Sequence, residues 1–215
     1  MDPRGIFKCL SLEAFLPVFI ILIGSLSFHE AAHAWTANRL GDPTARHLGR
    51  LTLNPLAHID WIGTVLFPVL AWLSNIPLLG WAKPVPVNMR NLKAPRRDFA
   101  IVALAGPVSN LILAFGGAAL LKAQGGMVPD DGQTVLTSFL VNAVIINVLL
   151  AVFNLLPIPP LDGGNVLAGF VPEGAAQLID QMRPYGFFVL YALLLLGVLD
   201  RFVFPIANFL GSWLL

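Results

Sequence analysis

One cysteine, Cys9, in 215 residues excludes an internal disulfide and a thiolate-built metal site, and so near the N-terminus it reads as inert. Charge is also scarce: 12% of residues are Asp, Glu, Lys or Arg, and a net charge of +1 makes no basic face for nucleic acid. No long repeat, linker or low-complexity tract is present, and there is no room for a large soluble domain. What fills the chain is apolar, at 57% of residues and a mean hydropathy of +0.78, outside the range of soluble domains. The sequence therefore predicts a polytopic membrane protein.

Apolar runs cover 14–37, 61–79, 99–121, 135–156 and 185–199, with a last stretch at 202–215. At about 1.5 Å per residue most can cross roughly 30 Å of hydrocarbon. The fifth is short, and the last is either a sixth span joined to its neighbour or a segment at the interface. The expected fold is all-α, with about five or six transmembrane helices. Arg4 and Lys8 before the first run, and Ala32-His33-Ala34 at its end, mimic a secretory signal. Cleavage there would discard the most reactive residues in the chain, so the segment reads as a retained helix.

Pro68 and Pro77 interrupt the second run, and eight of the 13 basic residues flank it: Arg39, Arg46 and Arg50 before, Lys83, Arg90, Lys93, Arg96 and Arg97 after. A full crossing would put basic loops on opposite faces, against the positive-inside tendency. Residues 61–87 are thus expected to be re-entrant, a bent helix followed by a β-hairpin between the first two core helices, with both loops cytoplasmic. The segment 122–134, with Lys122 against Asp130 and Asp131, reads as external, as does the N-terminus.

"SFHEAAHAW" puts His29, Glu30 and His33 at the end of the first run. On a helix the two histidines lie about 400° apart and can share a metal, while Glu30, about 100° round, can reach a water at that metal without being a ligand. Ionisable groups inside a membrane segment cost on the order of 2.5 kcal/mol or more each, so a chance placement is disfavoured. A catalytic zinc site needs a third ligand. His47 and His58 remain as histidines, but Asp162 in "NLLPIPPLDGGNVL" is the better candidate, because Pro157, Pro159, Pro160, Gly163 and Gly164 must unwind the fourth run there. Taken alone, Asp162 could equally be an ordinary interfacial turn residue.

With "HEAAH", "GPVSN" and "NLLPIPPLDGG" the chain resembles the site-2 proteases, the M50 intramembrane zinc metalloproteases, and "LNPLAHIDWIG" and "GWAKPVPVN" resemble their short prokaryotic branch. The resemblance covers about residues 27–167. It implies a single metalloprotease domain over 1–215, with a core at about 14–170 and C-terminal helices at about 184–215. It also implies one Zn²⁺ per chain held by His29, His33 and Asp162, Glu30 as catalytic base, and Asn154 as a group that holds substrate or stabilises the oxyanion. A helix-to-helix hydrogen bond is the plainer reading of Asn154. Trp81, Ala82, Lys83, Val85, Val87 and Asn88 look like an edge that pairs with extended substrate; Pro84 and Pro86 suit an edge strand. Trp61 and Met89 stand where the family pattern has proline. His58 reads as structural or gating, and His47 as a solvated loop residue.

The fifteen residues from Ala14 to His29 span roughly 22 Å of helix, and His33 to Arg39 only about 9 Å, so the site lies nearer the cytoplasmic face. The expected activity is zinc-dependent endoproteolysis of transmembrane protein substrates, in a prokaryotic cell membrane. With no room for a PDZ or CBS module, substrate choice falls to the membrane core, the loops or a separate regulatory partner. The competing classes are a non-proteolytic metal-binding adaptor, a metal transporter, and a membrane zincin whose third ligand is a glutamate. N/O ligands favour Zn²⁺ without excluding other divalent ions.

Overall fold

Residues 12–74, 81–126, 134–197 and 199–215 are described by the computed structural model, and among them the fold is all-helical with no β-strand. In chain order the helices are α1 (Leu12–Leu40), the one-turn α2 (Thr44–His47), α3 (Phe67–Ser74), α4 (Pro95–Ala123), α5 (Val135–Asn154), α6 (Asp162–Phe170), α7 (Glu173–Met182), α8 (Gly186–Leu195) and α9 (Phe204–Leu214). Three of them, α1, α4 and α5, are long and apolar enough to cross a membrane. With ten and eleven residues, α8 and α9 each reach about 15 Å, half of a hydrocarbon core.

Local chemistry sets the ends of these helices. Gly41, at φ +111°, takes a backbone conformation closed to side chains with a Cβ and stops α1, while Arg39 lies over the Trp35 ring at 4.9 Å, a pair suited to a membrane interface. Pro95 opens α4, and the Asp98 carboxylate accepts the Ala94 N–H at 2.8 Å. Thr134 caps α5 by accepting the Thr137 N–H. Asp60 accepts the N–H groups of Ile62 and Gly63 at 3.0 and 2.8 Å, starting a π-helical turn, Trp61–Leu66, that runs on into α3.

The long helices pack through small residues, as they must where lipid is as apolar as the core. Val18, Ile21, Leu22 and Leu26 of α1 meet Ile146 of α5 and Ala82, while Ala114 and Ala118 of α4 meet Val144 and Val148 of α5 and Ala207 and Leu214 of α9. The outward faces are equally apolar: Ile20, Phe28, Ile112, Phe115 and Leu120 are all exposed. Such a surface belongs in a bilayer.

Where a β-hairpin is expected, residues 81–88 pair with no strand, and 75–80 lie outside the described residues. Pro84 and Pro86 supply no N–H, and other partners take the neighbouring donors. Trp81 N–H bonds to Gly63 O at 3.2 Å and Lys83 N–H to His58 O at 2.8 Å, while the Thr64 hydroxyl donates to Trp81 O at 2.7 Å. A Cβ on Gly63 would lie 2.3 Å from the Trp81 indole, so the glycine admits that ring.

Candidate metal centre

Facing the same way four residues apart on α1, His29 and His33 hold their rings 4.6 Å apart. The chain leaves α5 at Asn154, turns through its prolines and presents Asp162 as the first residue of α6. Gly163 and Gly164 allow this close return, since a Cβ would sit 2.3 Å from Leu155 O and 2.6 Å from Pro159 N respectively. Asp162 Oδ2 thereby comes 3.0 Å from His29 Nε2 and 3.4 Å from His33 Nε2.

The far side of each imidazole is tied. His29 Nδ1 lies 2.6 Å from Asn110 Oδ1, and His33 Nδ1 lies 2.7 Å from Val102 O. Asn110 and Val102 are both on α4, where Pro107 cannot donate to the Ala103 carbonyl and interrupts the helical ladder beside Val102. The amide of Asn110 has a fixed sense: its Nδ2 donates to Asn147 Oδ1 at 2.9 Å and to Ser25 O at 3.4 Å, and Asn147 Nδ2 donates to Ser25 Oγ and Ala143 O, each at 2.9 Å. Both histidines therefore carry a proton on Nδ1, and in the neutral imidazoles the Nε2 lone pairs face the Asp162 carboxylate.

Two imidazole Nε2 atoms and a carboxylate oxygen that face one another this closely can share a metal ion. The three ligand atoms all lie within 4.8 Å of one another, and a tetrahedral Zn²⁺ with bonds of about 2.0–2.1 Å spaces its ligands at roughly 3.3 Å. The donor set, two neutral imidazoles and a carboxylate with the imidazoles held from behind, fits zinc. Replacing Asn110 by leucine should weaken zinc binding about 10- to 100-fold while leaving one Zn²⁺ per chain at saturation. A metal-buffer titration of purified protein checks this.

Glu30 is buried beside the trio, and its Oε2 accepts the Val85 N–H at 2.9 Å. Residues 83–88 pass over α1 as a strap. Arg50 Nη2 donates to Lys83 O and, at 3.4 Å, to Pro84 O, and the Asn88 N–H donates to Asp42 Oδ2 at 2.7 Å. Of the six residues expected to form an edge, Trp81, Lys83, Val85 and Asn88 use their N–H groups inside the protein, and Ala82 is packed on α1. Val87 is half-buried. Asn154 donates to Leu150 O of its own helix at 3.0 Å. His58 is buried, with Nε2 2.8 Å from Thr52 O, and its carbonyl holds the strap; His47 is exposed. Neither joins the metal trio.

Asp42, wholly buried, also accepts from Thr44 and Asn91. Burial alone would raise its pKa, but hydrogen bonds from Thr44, Asn91 and Asn88 outweigh this and hold it below the ordinary value. A depressed folded pKa means the anchor is fully present above the unfolded value of about 3.9 and is lost as pH falls through the folded value. Between pH 5 and 8 the anchor should therefore contribute no pH dependence, and thermal melts of wild type and Asp42→Asn should differ by a constant amount across that range.

Gly106 and Asn110 begin and end "GPVSN", to which motif reading gives no role, and Asn147 and Ser25 lie in no quoted motif. A Cβ at Gly106 would lie 2.5 Å from His29 Nε2 and from His33 Nε2 and Cε1, so only glycine lets α4 approach the imidazoles. Polar residues within apolar runs were the available signal for Asn147 and Ser25.

A helical membrane bundle that presents H-E-x-x-H to an aspartate from another helix has the make-up of a metallopeptidase. The family model "Peptidase family M50" matches residues 126–197. YwhC of Bacillus subtilis is 41% identical over 208 residues, 95% of this chain and 91% of that protein. Rip2 of Mycolicibacterium smegmatis is 33% identical over 198 residues, 90% of this chain and 73% of that protein, and Rip2 of Mycobacterium tuberculosis is 31% identical over 202 residues. All three carry the name "Putative zinc metalloprotease". No solved structure matches the chain. The chain belongs to peptidase family M50 and is a zinc metalloprotease.

Proposed function

We propose that this enzyme is an intramembrane endopeptidase, cutting peptide bonds within or near transmembrane segments of other proteins. The observation that carries the reading is the convergence of the Asp162 carboxylate on two Nε2 atoms beside Glu30, the histidines and Glu30 lying on a helix long enough to cross a membrane. His29, His33 and Asp162 would hold Zn²⁺, which supplies a Lewis acid that polarises a carbonyl and acidifies water. Glu30 takes the proton of the attacking water and returns it to the leaving amine. Asn110 and Val102 O keep the imidazoles in the binding tautomer throughout. Asn154, at the α5 end, holds substrate in this reading, its side chain leaving Leu150 O to do so.

The same reading has the chain crossing the membrane five or six times, with 61–87 dipping in and returning, the N-terminus outside and the site nearer the cytoplasmic face. An apolar groove of about 530 Å³, lined by Phe28, Ala31, Ala32, Trp35 and Leu51 among others, gives an apolar substrate segment a place beside the site. A substrate helix must unwind locally before attack, because its peptide groups are otherwise tied in i to i−4 bonds. Mass spectrometry of the product termini from single-span reporters tests this. Cuts within or at the edge of the apolar span support the reading. Cuts confined to soluble tails return weight to a membrane zincin acting on soluble ends, and zinc binding without any cleavage favours the adaptor or transporter.

A further inference from the structure

The strap has an unusual donor pattern. Pro84 and Pro86 have no N–H, so Val85 carries the one backbone donor in this tripeptide, and it is given to Glu30 at 2.9 Å. On either side the chain is tied down. Before Val85, Lys83 N–H bonds to His58 O and Lys83 O accepts from Arg50; after it, Asn88 N–H bonds to buried Asp42. Ala82 shares a core cluster with Val18, Ile21, Leu22 and Leu26 of α1, Val85 meets Glu30, and Asn88 meets Asp42 just past the end of α1, so the strap runs alongside α1 in the same direction. Two prolines and anchors on both flanks leave the Val85 N–H little freedom.

From this geometry we infer that Val85 is a positioning residue for the catalytic base. Its N–H engages one carboxylate oxygen of Glu30 and so fixes the rotamer in which the other oxygen serves the attacking water. A carboxylate on a flexible three-torsion stem gains most from such a tether, because a small misplacement of a reacting group costs rate steeply. The strap is then part of the catalytic geometry and not only a cover. This rests on the reading of Glu30 as the base.

Two measurements test it. In protein labelled with ¹⁵N-valine, amide exchange at Val85 should become about 10- to 100-fold faster in Glu30→Ala than in wild type, as expected for losing a hydrogen bond to a charged acceptor. In zinc-loaded protein, Val85→Pro should lower kcat on a single-span reporter about tenfold or more with KM and zinc content unchanged. Val85→Ala, which keeps the N–H, should lower kcat less than Val85→Pro does. Equal Val85 exchange in wild type and Glu30→Ala overturns the proposal, as does a Val85→Pro enzyme with normal kcat. A faster Val85→Pro enzyme also overturns it, by showing the strap to be a block. If Val85→Pro does not fold, the exchange comparison decides. Wild type that holds zinc and cuts no reporter counts against the protease reading, while Glu30-dependent protection of the Val85 amide would still uphold the contact.

Discussion

Alanine at Gly106 is expected to strip the protein of zinc. The added methyl would sit 2.5 Å from the Nε2 atoms of His29 and His33, well inside van der Waals contact. Neither ring can back away, because His29 is tied to Asn110 and His33 to Val102 O, and Asn110 is itself fixed by Asn147 and Ser25. The clash must be relieved by moving α4 from α1 or by turning an imidazole out of line. Either misplaces ligand atoms, so zinc affinity should fall about 100-fold or more, beyond the range typical of outer-shell changes. Zinc per chain in purified Gly106→Ala, with helix content by circular dichroism as the folding control, checks the claim. A folded variant with full zinc would mean that α4 does not approach the imidazoles as closely as described.

Glu30→Gln should leave zinc in place and remove turnover. Glutamine keeps the size of the side chain and an oxygen for the Val85 N–H, so the strap need not move. It cannot take a proton from water. Loss of a general base at an otherwise intact site lowers rate by about 10² to 10⁴, enough to abolish detectable cleavage of a slow reporter. Zinc content and reporter cleavage measured on one preparation separate the base from the ligands. Wild-type turnover in the variant would require another proton acceptor at the site.

His29, Glu30 and His33 were legible because a helix turns their four-residue spacing into one face, and because charge in an apolar run is costly enough to need a reason. Asp162 was legible from the prolines and glycines around it, although spacing alone could not bring α6 to α1; the resemblance supplied that link. The residues behind the metal were harder. Asn110 and Asn147 sit on different helices, and nothing in one sequence says that they meet each other, Ser25 and His29. Gly106 was visible only as a letter in "GPVSN", since the need for a missing Cβ arises from the approach of another helix. In the strap, Pro84 and Pro86 were read as suiting an edge strand, whereas residues 81–88 pair with no strand among the described residues. That the one N–H between the two prolines would find Glu30 depends on anchors at Arg50 and Asp42, far away in sequence.

If His29, His33 and Asp162 make this a zinc-dependent protease of membrane segments, cleavage must follow the metal. The most direct test removes zinc from purified wild type with a chelator, follows cleavage of a single-span reporter, and then restores one equivalent of Zn²⁺. Cleavage lost with the metal and recovered with it, together with product ends inside the apolar span, is the predicted result. Cleavage that persists in zinc-free protein would contradict the account.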